Sequence, residues 1–252
     1  MEVPKPGSAE FALGAMLDAK KRGGLAVIND EDVTALEVLM MDEGYYTMPF
    51  PAEILKGFSN NQRRIFCVKK GIYQLITNEL VDYLQAHMVG STIECGSGNG
   101  LLADLLAIPA TDNRMQEWPE VKQHYAMSGQ ATIKYGQNVE ELEAHAAKEK
   151  YNPNTIIACW LTGKKSIHNK PLNMYGPNLK QLRAGTKQFI LIGNENVHKD
   201  CILFDKACWE VQADWLVSRA EHQHLNRIWI WGQRPQEILG AKVSRRLPVK
   251  RS

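Results

Sequence analysis

Three glycines at alternate positions constrain this chain more than any other feature: Ile93-Glu94-Cys95-Gly96-Ser97-Gly98-Asn99-Gly100-Leu101-Leu102. The residues before them, Ser91 to Cys95, read as a short strand, and Leu101 to Ala107 as a helix. Glycines at such a junction permit a tight turn, close approach of bare backbone to a ligand, and close helix-on-strand packing. In open α/β sheets ligands settle outside the carboxyl ends of the strands, which is where this turn falls.

The chain around the turn alternates strand and helix. Strands are expected at Pro109 to Thr111, Thr132 to Tyr135, Thr155 to Trp160, Phe189 to Gly193 and Arg227 to Trp231. Thr77 is placed to cap a helix that buries Leu80, Val81, Leu84 and Met88, with Ile76 and Val81 as a hydrophobic staple. Further helices are expected over Val139 to Lys150, with Asn138 and Glu141 in capping-box spacing, and over Lys206 to Ala220. This pattern predicts an α/β fold with a doubly wound, mostly parallel sheet. The first part of the chain reads as helical: one helix capped by Ser8, one from Asn29 or Asp30 to Gly44 burying Val33, Leu36 and Leu39, and a short one over Ala52 to Phe58. The expected organisation is a helical extension over 1–70, the ligand-binding domain over 71–240 and a basic tail over 241–252.

Composition excludes several classes. Hydrophobic residues make up 44% and charged ones 23%, as in soluble globular proteins. No apolar run approaches the roughly 18 residues of a membrane span, and Met1 to Pro6 lacks the regions of a secretory signal. A cytoplasmic protein with no membrane partner is expected. The five cysteines form no C-x-x-C pair, which argues against a disulfide framework and a cysteine zinc site. His222 and His224 lie two apart and on different helix faces, so no metal site is expected there. The net charge of +2 does not imply nucleic acid, although Lys242, Arg245, Arg246, Lys250 and Arg251 follow the last acid, Glu237. That run is expected to be a solvated, disordered tail, with phosphate contact as the alternative.

The turn is neither of the two common phosphate loops. A dinucleotide fingerprint requires glycine at the position of Leu101, and no Gly-Lys-Ser/Thr follows as in a P-loop. Glu94, two residues before the first glycine, suits an ammonium or sulfonium group better than a pyrophosphate. The segment resembles the first motif, [DE]-x-G-x-G-x-G, of class I S-adenosylmethionine-dependent methyltransferases. The strings Gly71-Ile72-Tyr73-Gln74, Thr111-Asp112-Asn113-Arg114-Met115-Gln116 and Ile192-Gly193-Asn194-Glu195 resemble a poorly characterised prokaryotic and viral branch of methyltransferase-like proteins. The resemblance spans about residues 71 to 232 and implies a Rossmann-like, seven-stranded methyltransferase fold. It implies that Glu94, Cys95, Gly96, Ser97, Gly98, Asn99 and Gly100 wrap the cofactor S-adenosyl-L-methionine. It further implies that Asp112, beside Asn113, takes the ribose hydroxyls.

Departures from the family pattern leave alternatives open. Relatives carry an adenine-binding acid after the third strand, where this chain has Gly136-Gln137-Asn138-Val139. Asn138 or Gln137 offers a carbonyl oxygen instead, or Asn138 is a helix cap. The fourth strand ends in Ala158-Cys159-Trp160-Leu161-Thr162-Gly163 rather than [DN]-P-P-[YFW], so no substrate-amine signature is present. Trp160 is a candidate to stack on the cofactor, or is a buried aromatic. Glu195 is the candidate catalytic base, with Asn194 and His198 near it and Lys164, Lys165 and His168 after the fourth strand. The segment Asn173 to Gly176 is a candidate lid or a plain connection. The expected activity is methyl transfer to an unidentified acceptor. Its rivals are a non-catalytic partner- or nucleic-acid-binding module and, third, a nicotinamide-dependent oxidoreductase.

Overall fold

The computed structural model describes residues 32–42, 45–46, 48–163 and 176–248. The helix expected from Ser8, Lys164, Lys165, His168 and most of the Asn173 to Gly176 segment lie outside them. Four helices come first: α1 (Thr34–Met40), α2 (Ala52–Lys56), α3 (Asn60–Lys70) and α4 (Asn78–His87). The sheet region follows as β1 (Thr92–Cys95), α5 (Leu101–Leu105), β2 (Ala110–Asp112), α6 (Pro119–Met127), β3 (Val139–Glu141), α7 (Ala144–Tyr151) and β4 (Thr155–Cys159). It continues through α8 (Leu179–Arg183), β5 (Gln188–Asn194), α9 (Glu195–His198), β6 (Cys208–Gln212), β7 (Asn226–Trp231) and β8 (Lys242–Arg246).

Local signals set the helix limits. Ser59 Oγ accepts from Gln62 N–H while the Gln62 side chain accepts from Ser59 N–H, a complete capping box for α3. Thr77 Oγ1 accepts from Leu80 N–H at 3.2 Å and starts α4 as the sequence predicts, with Leu80, Val81, Tyr83 and Leu84 buried.

Eight strands form one mixed sheet in the order β3-β2-β1-β4-β5-β7-β6-β8. The first five in that order are parallel. β7 runs antiparallel to both β5 and β6, and β8 antiparallel to β6. Each strand of the central group feeds alternate residues to opposite faces. Ile157, Ile190, Ile192, Ile228 and Ile230 join Leu36, Leu55, Phe66, Leu80 and Leu84 in one core, beneath the first four helices. Ile156, Phe189, Leu191, Trp229 and Trp231 meet Ala147, Leu179, Leu182 and Phe204 on the other face. The described part of the N-terminal region therefore covers the sheet rather than standing apart from it. Among the described residues, no helix is long and apolar enough to cross a membrane.

Five expectations are corrected. Thr132 to Tyr135 is not a strand: Ala131 N–H bonds to Val68 O and Ile133 N–H to Gln116 Oε1, partners outside the sheet. The third strand is β3, so the helix expected over Val139 to Lys150 begins only at Ala144. Asn138 does not close a capping box, because its side-chain amide donates to Gly100 O at 3.1 Å. The helix expected over Lys206 to Ala220 is β6 followed by the two-residue strand Val217–Ser218; pairing with β7 and β8 overrides the helical spacing of Val211, Trp215 and Leu216. Finally, the basic tail is not a free tail over its described length. Lys242–Arg246 pairs with β6 as the eighth strand, one more than the seven expected.

Candidate functional site

The strand order places β2 on one side of β1 and β4 on the other. The crevice at such a reversal, at the carboxyl ends of β1 and β4, is where α/β sheets bind ligands. Both loops that border it carry unusual backbone.

After β1, the turn takes Gly96, Gly98 and Gly100 through left-handed φ angles of 68°, 58° and 77°. A side chain at Gly100 is doubly excluded, since its Cβ falls 2.5 Å from Val139 Cγ2. Gly96 and Ser97 donate their N–H groups to Thr111 O at 2.8 and 3.0 Å, binding the turn to β2. After β4, Trp160 holds φ at 61°, a conformation rare for a bulky side chain and one that clusters at functional sites. Its indole N–H donates to Gln74 Oε1 at 3.0 Å, and Tyr73 lies beside it with ring centroids 6.0 Å apart. Gln74 is itself fixed, donating to Val217 O at 2.7 Å.

Two carboxyl groups meet the turn. Asp112, at the end of β2, accepts from Gly98 N–H at 3.0 Å through Oδ2 and from Arg114 N–H at 2.8 Å through Oδ1. Burial raises its pKa, and those two amides offset part of the shift. Glu94 lies beneath the turn and is 1% exposed. Among the described residues, neither of its oxygens reaches hydrogen-bonding geometry with a partner, and Ser97 Oγ is likewise buried and unpaired. Burial pushes the Glu94 carboxyl up to about 8, the Ala103 amide of α5 offsetting a part and the Asp112 charge adding to it. Neither acid is in an ion pair among the described residues. A buried carboxyl without a partner is costly to ionise, which is why its proton is retained.

The remaining candidates divide. Cys95 turns its side chain into the core on the β1 face, where burial pushes the thiol up to about 12 and leaves it inert. Only its backbone belongs to the site. Asn99 Oδ1 accepts from Leu101 N–H at 3.3 Å and supports the start of α5. Asn113 Oδ1 accepts from Met115 N–H, while its Nδ2 donates to Glu143 Oε1 at 3.2 Å. Asn138 precedes β3 instead of following it, so it does not stand where an acceptor after the third strand belongs.

Glu195 is not at the turn. It follows β5 and is tied to Arg246 at 3.1 Å and to Arg227 at 3.9 Å. Those guanidiniums also engage Glu210, at 2.7 Å from Arg246 and 3.4 Å from Arg227. Both of its carboxylate oxygens are thus engaged by guanidiniums. The structure assigns it a place in the lattice that fastens β8.

Residues that the sequence reading passed over also line this edge. Glu143, at the N-cap of α7, is the acid that follows the true third strand. The Tyr135 hydroxyl accepts from Gln116 N–H at 3.4 Å and lies close enough to Asp112 to lower its pKa. The signal for Glu143 was present, an acid two residues past a Val-Glu-Glu run, but the misplaced third strand hid it. Among the described residues, no group of three His, Cys, Asp or Glu side chains is placed to hold a metal ion. Compared with known proteins, the chain matches no family model and no curated sequence.

Proposed function

We propose that the chain is a methyltransferase that uses S-adenosyl-L-methionine to methylate an acceptor still to be identified. The observation that carries this reading is the pair of buried acids, Glu94 and Asp112, converging on one glycine turn without an ion pair. Such a turn repels a pyrophosphate and suits a cationic, diol-bearing ligand. The sheet speaks against a dinucleotide enzyme as well: the usual order sets the sixth strand directly beyond the fifth, whereas here the reversed β7 lies between β5 and β6.

The residues present fit the cofactor in kind. The Gly96 to Gly100 backbone would approach it closely, Asp112 would offer its remaining lone pairs to the ribose hydroxyls, and Glu94, protonated without a ligand, would supply negative charge below the turn once a cation draws off its proton. Glu143 now occupies the place, after the third strand, at which the family carries its adenine-binding acid. When bound, the cofactor would supply an electrophilic methyl on a sulfonium, with the neutral thioether as the leaving group. This chain's work is then to orient and to desolvate. Asp112 is pre-positioned by the Gly98 and Arg114 amides, Leu161 packs against Gly96, and Ile133 packs against Gly98, excluding water from the turn. No dedicated base is required for a displacement driven by positioning.

A second reading, a non-catalytic protein of the same fold, is favoured by the engagement of Glu195 in ion pairs. Calorimetric titration separates the two. The first requires binding of S-adenosylmethionine and its demethylated product but not of NAD, weakened roughly 10- to 100-fold by Asp112→Ala, the scale of losing hydrogen bonds to a charged group. Absence of any binding by the wild-type chain excludes it.

A further inference from the structure

On the flank of the crevice, between Trp160 and α6, five polar side chains contain more hydrogen-bond donors than acceptors. The Arg219 guanidinium lies 4.3 Å above the Tyr73 ring. Its Nη2 donates to Gln130 Oε1, while its Nη1 is buried with no partner among the described residues. No carboxylate pairs with it among the described residues. The hydroxyls of Tyr73 and Tyr125 bond to each other, and Gln116 Nε2 donates to Tyr73 at 3.2 Å. Two hydroxyls carry two protons and their mutual bond uses one. Among the described residues, the second phenolic proton therefore has no protein acceptor, and it lies in the same cluster as the unpartnered guanidinium nitrogen.

Unanswered donors around a partly buried positive charge are costly, and an oxyanion answers all of them at once. The guanidinium fork matches the paired oxygens of phosphate and carboxylate. The cluster is also built into the crevice rather than scattered on the surface. Gln116 joins it to Ile133, whose N–H donates to Gln116 Oε1 at 2.9 Å and whose Cδ1 lies against Gly98. Tyr73 joins it to the strained Trp160.

We propose that Arg219, with the hydroxyls of Tyr73 and Tyr125, binds an oxyanion, phosphate or carboxylate, carried by the molecule that is methylated. The role as an acceptor site rests on the methyltransferase reading; anion binding by the cluster does not. The test titrates the full chain, without any adenosyl compound, with phenyl phosphate and with benzoate, benzyl alcohol serving as the neutral control. Saturable binding of either anion but not of the alcohol is expected, and which anion binds identifies the source. Arg219→Gln is expected to raise Kd roughly 10-fold or more, with Arg219→Lys intermediate. Should Arg219→Gln lose its near-ultraviolet dichroism, Arg219→Lys and Tyr125→Phe carry the test, each expected to weaken binding severalfold. Failure of either anion to bind, or unchanged affinity in both Arg219→Lys and Tyr125→Phe, overturns the site. Anion binding that follows this pattern in a chain that does not bind S-adenosylmethionine supports the site and removes its acceptor role.

Discussion

Glu94 is the residue with the sharpest consequence. Its folded pKa of about 8 stands above the ordinary 4.5, so between those values the folded chain holds a proton that the unfolded chain has released. The stability of the ligand-free protein should therefore fall as pH rises from about 4.5 to about 8. Thermal melts of wild type and Glu94→Gln across this range check it: the amide variant should lack this component of the decline and overtake wild type at the alkaline end. A cation seated at the turn favours the ionised form, so S-adenosylmethionine should bind more tightly as pH rises, with proton release measurable by calorimetry in buffers of different ionisation enthalpy. Gly100→Ala offers a separate check of the turn. With φ at 77° and Val139 2.5 Å from the new methyl group, it should cost about 1–3 kcal/mol in denaturant unfolding.

At the level of elements, the sequence declared those that carry their own local signal. α4 announced itself through Thr77 and its apolar face, β1 through the glycines that follow it, and β4, β5 and β7 through apolar runs covered on both sides. What misled was decided by pairing. β3 holds one buried residue, Val139, and β8 none, so neither shows a hydrophobic period. β6 has Cys208 and Val211 at helical spacing, and only its neighbours make it a strand. The same holds in the site. The glycine turn and Asp112 were legible because their spacing is local, whereas Glu143, Tyr73 and Arg219 reach the crevice from three separate segments. The ion pairs of Glu195 were not legible, because Arg246, in a stretch that reads as tail, returns to bind it.

That return gives β8 its own test. Glu210 accepts from Arg246 at 2.7 Å, from Trp229 Nε1 at 2.9 Å and from Arg227 at 3.4 Å. Burial alone would raise its pKa, but the Arg246 and Trp229 hydrogen bonds outweigh that and hold it below the ordinary value. A depressed carboxyl stabilises the fold above its unfolded pKa, and the contribution fades as pH falls through the folded one. Glu210→Ala leaves two guanidiniums underpaired at a partly exposed site, so a loss of about 1–3 kcal/mol is expected, less than for a fully buried pair. Amide exchange in Lys242–Arg246 should quicken more than in β5, and wild type should show the same selective loosening on acidification.

For the whole molecule, the mixed sheet joins two kinds of connectivity. β6, β7 and β8 pair antiparallel with partners close in sequence, and β7 extends the ladder to β5. β1 lies between β2 and β4, and its pairing with β4 is closed only after residues 96–154 have been traversed. Contacts between distant segments form more slowly than local ones, because loop closure costs entropy before pairing rewards it. The antiparallel half should thus assemble first, around Trp229 and Trp231, and the glycine turn last. Stopped-flow refolding would then show indole burial running ahead of ligand capture, and capture would report the moment at which the chain becomes native.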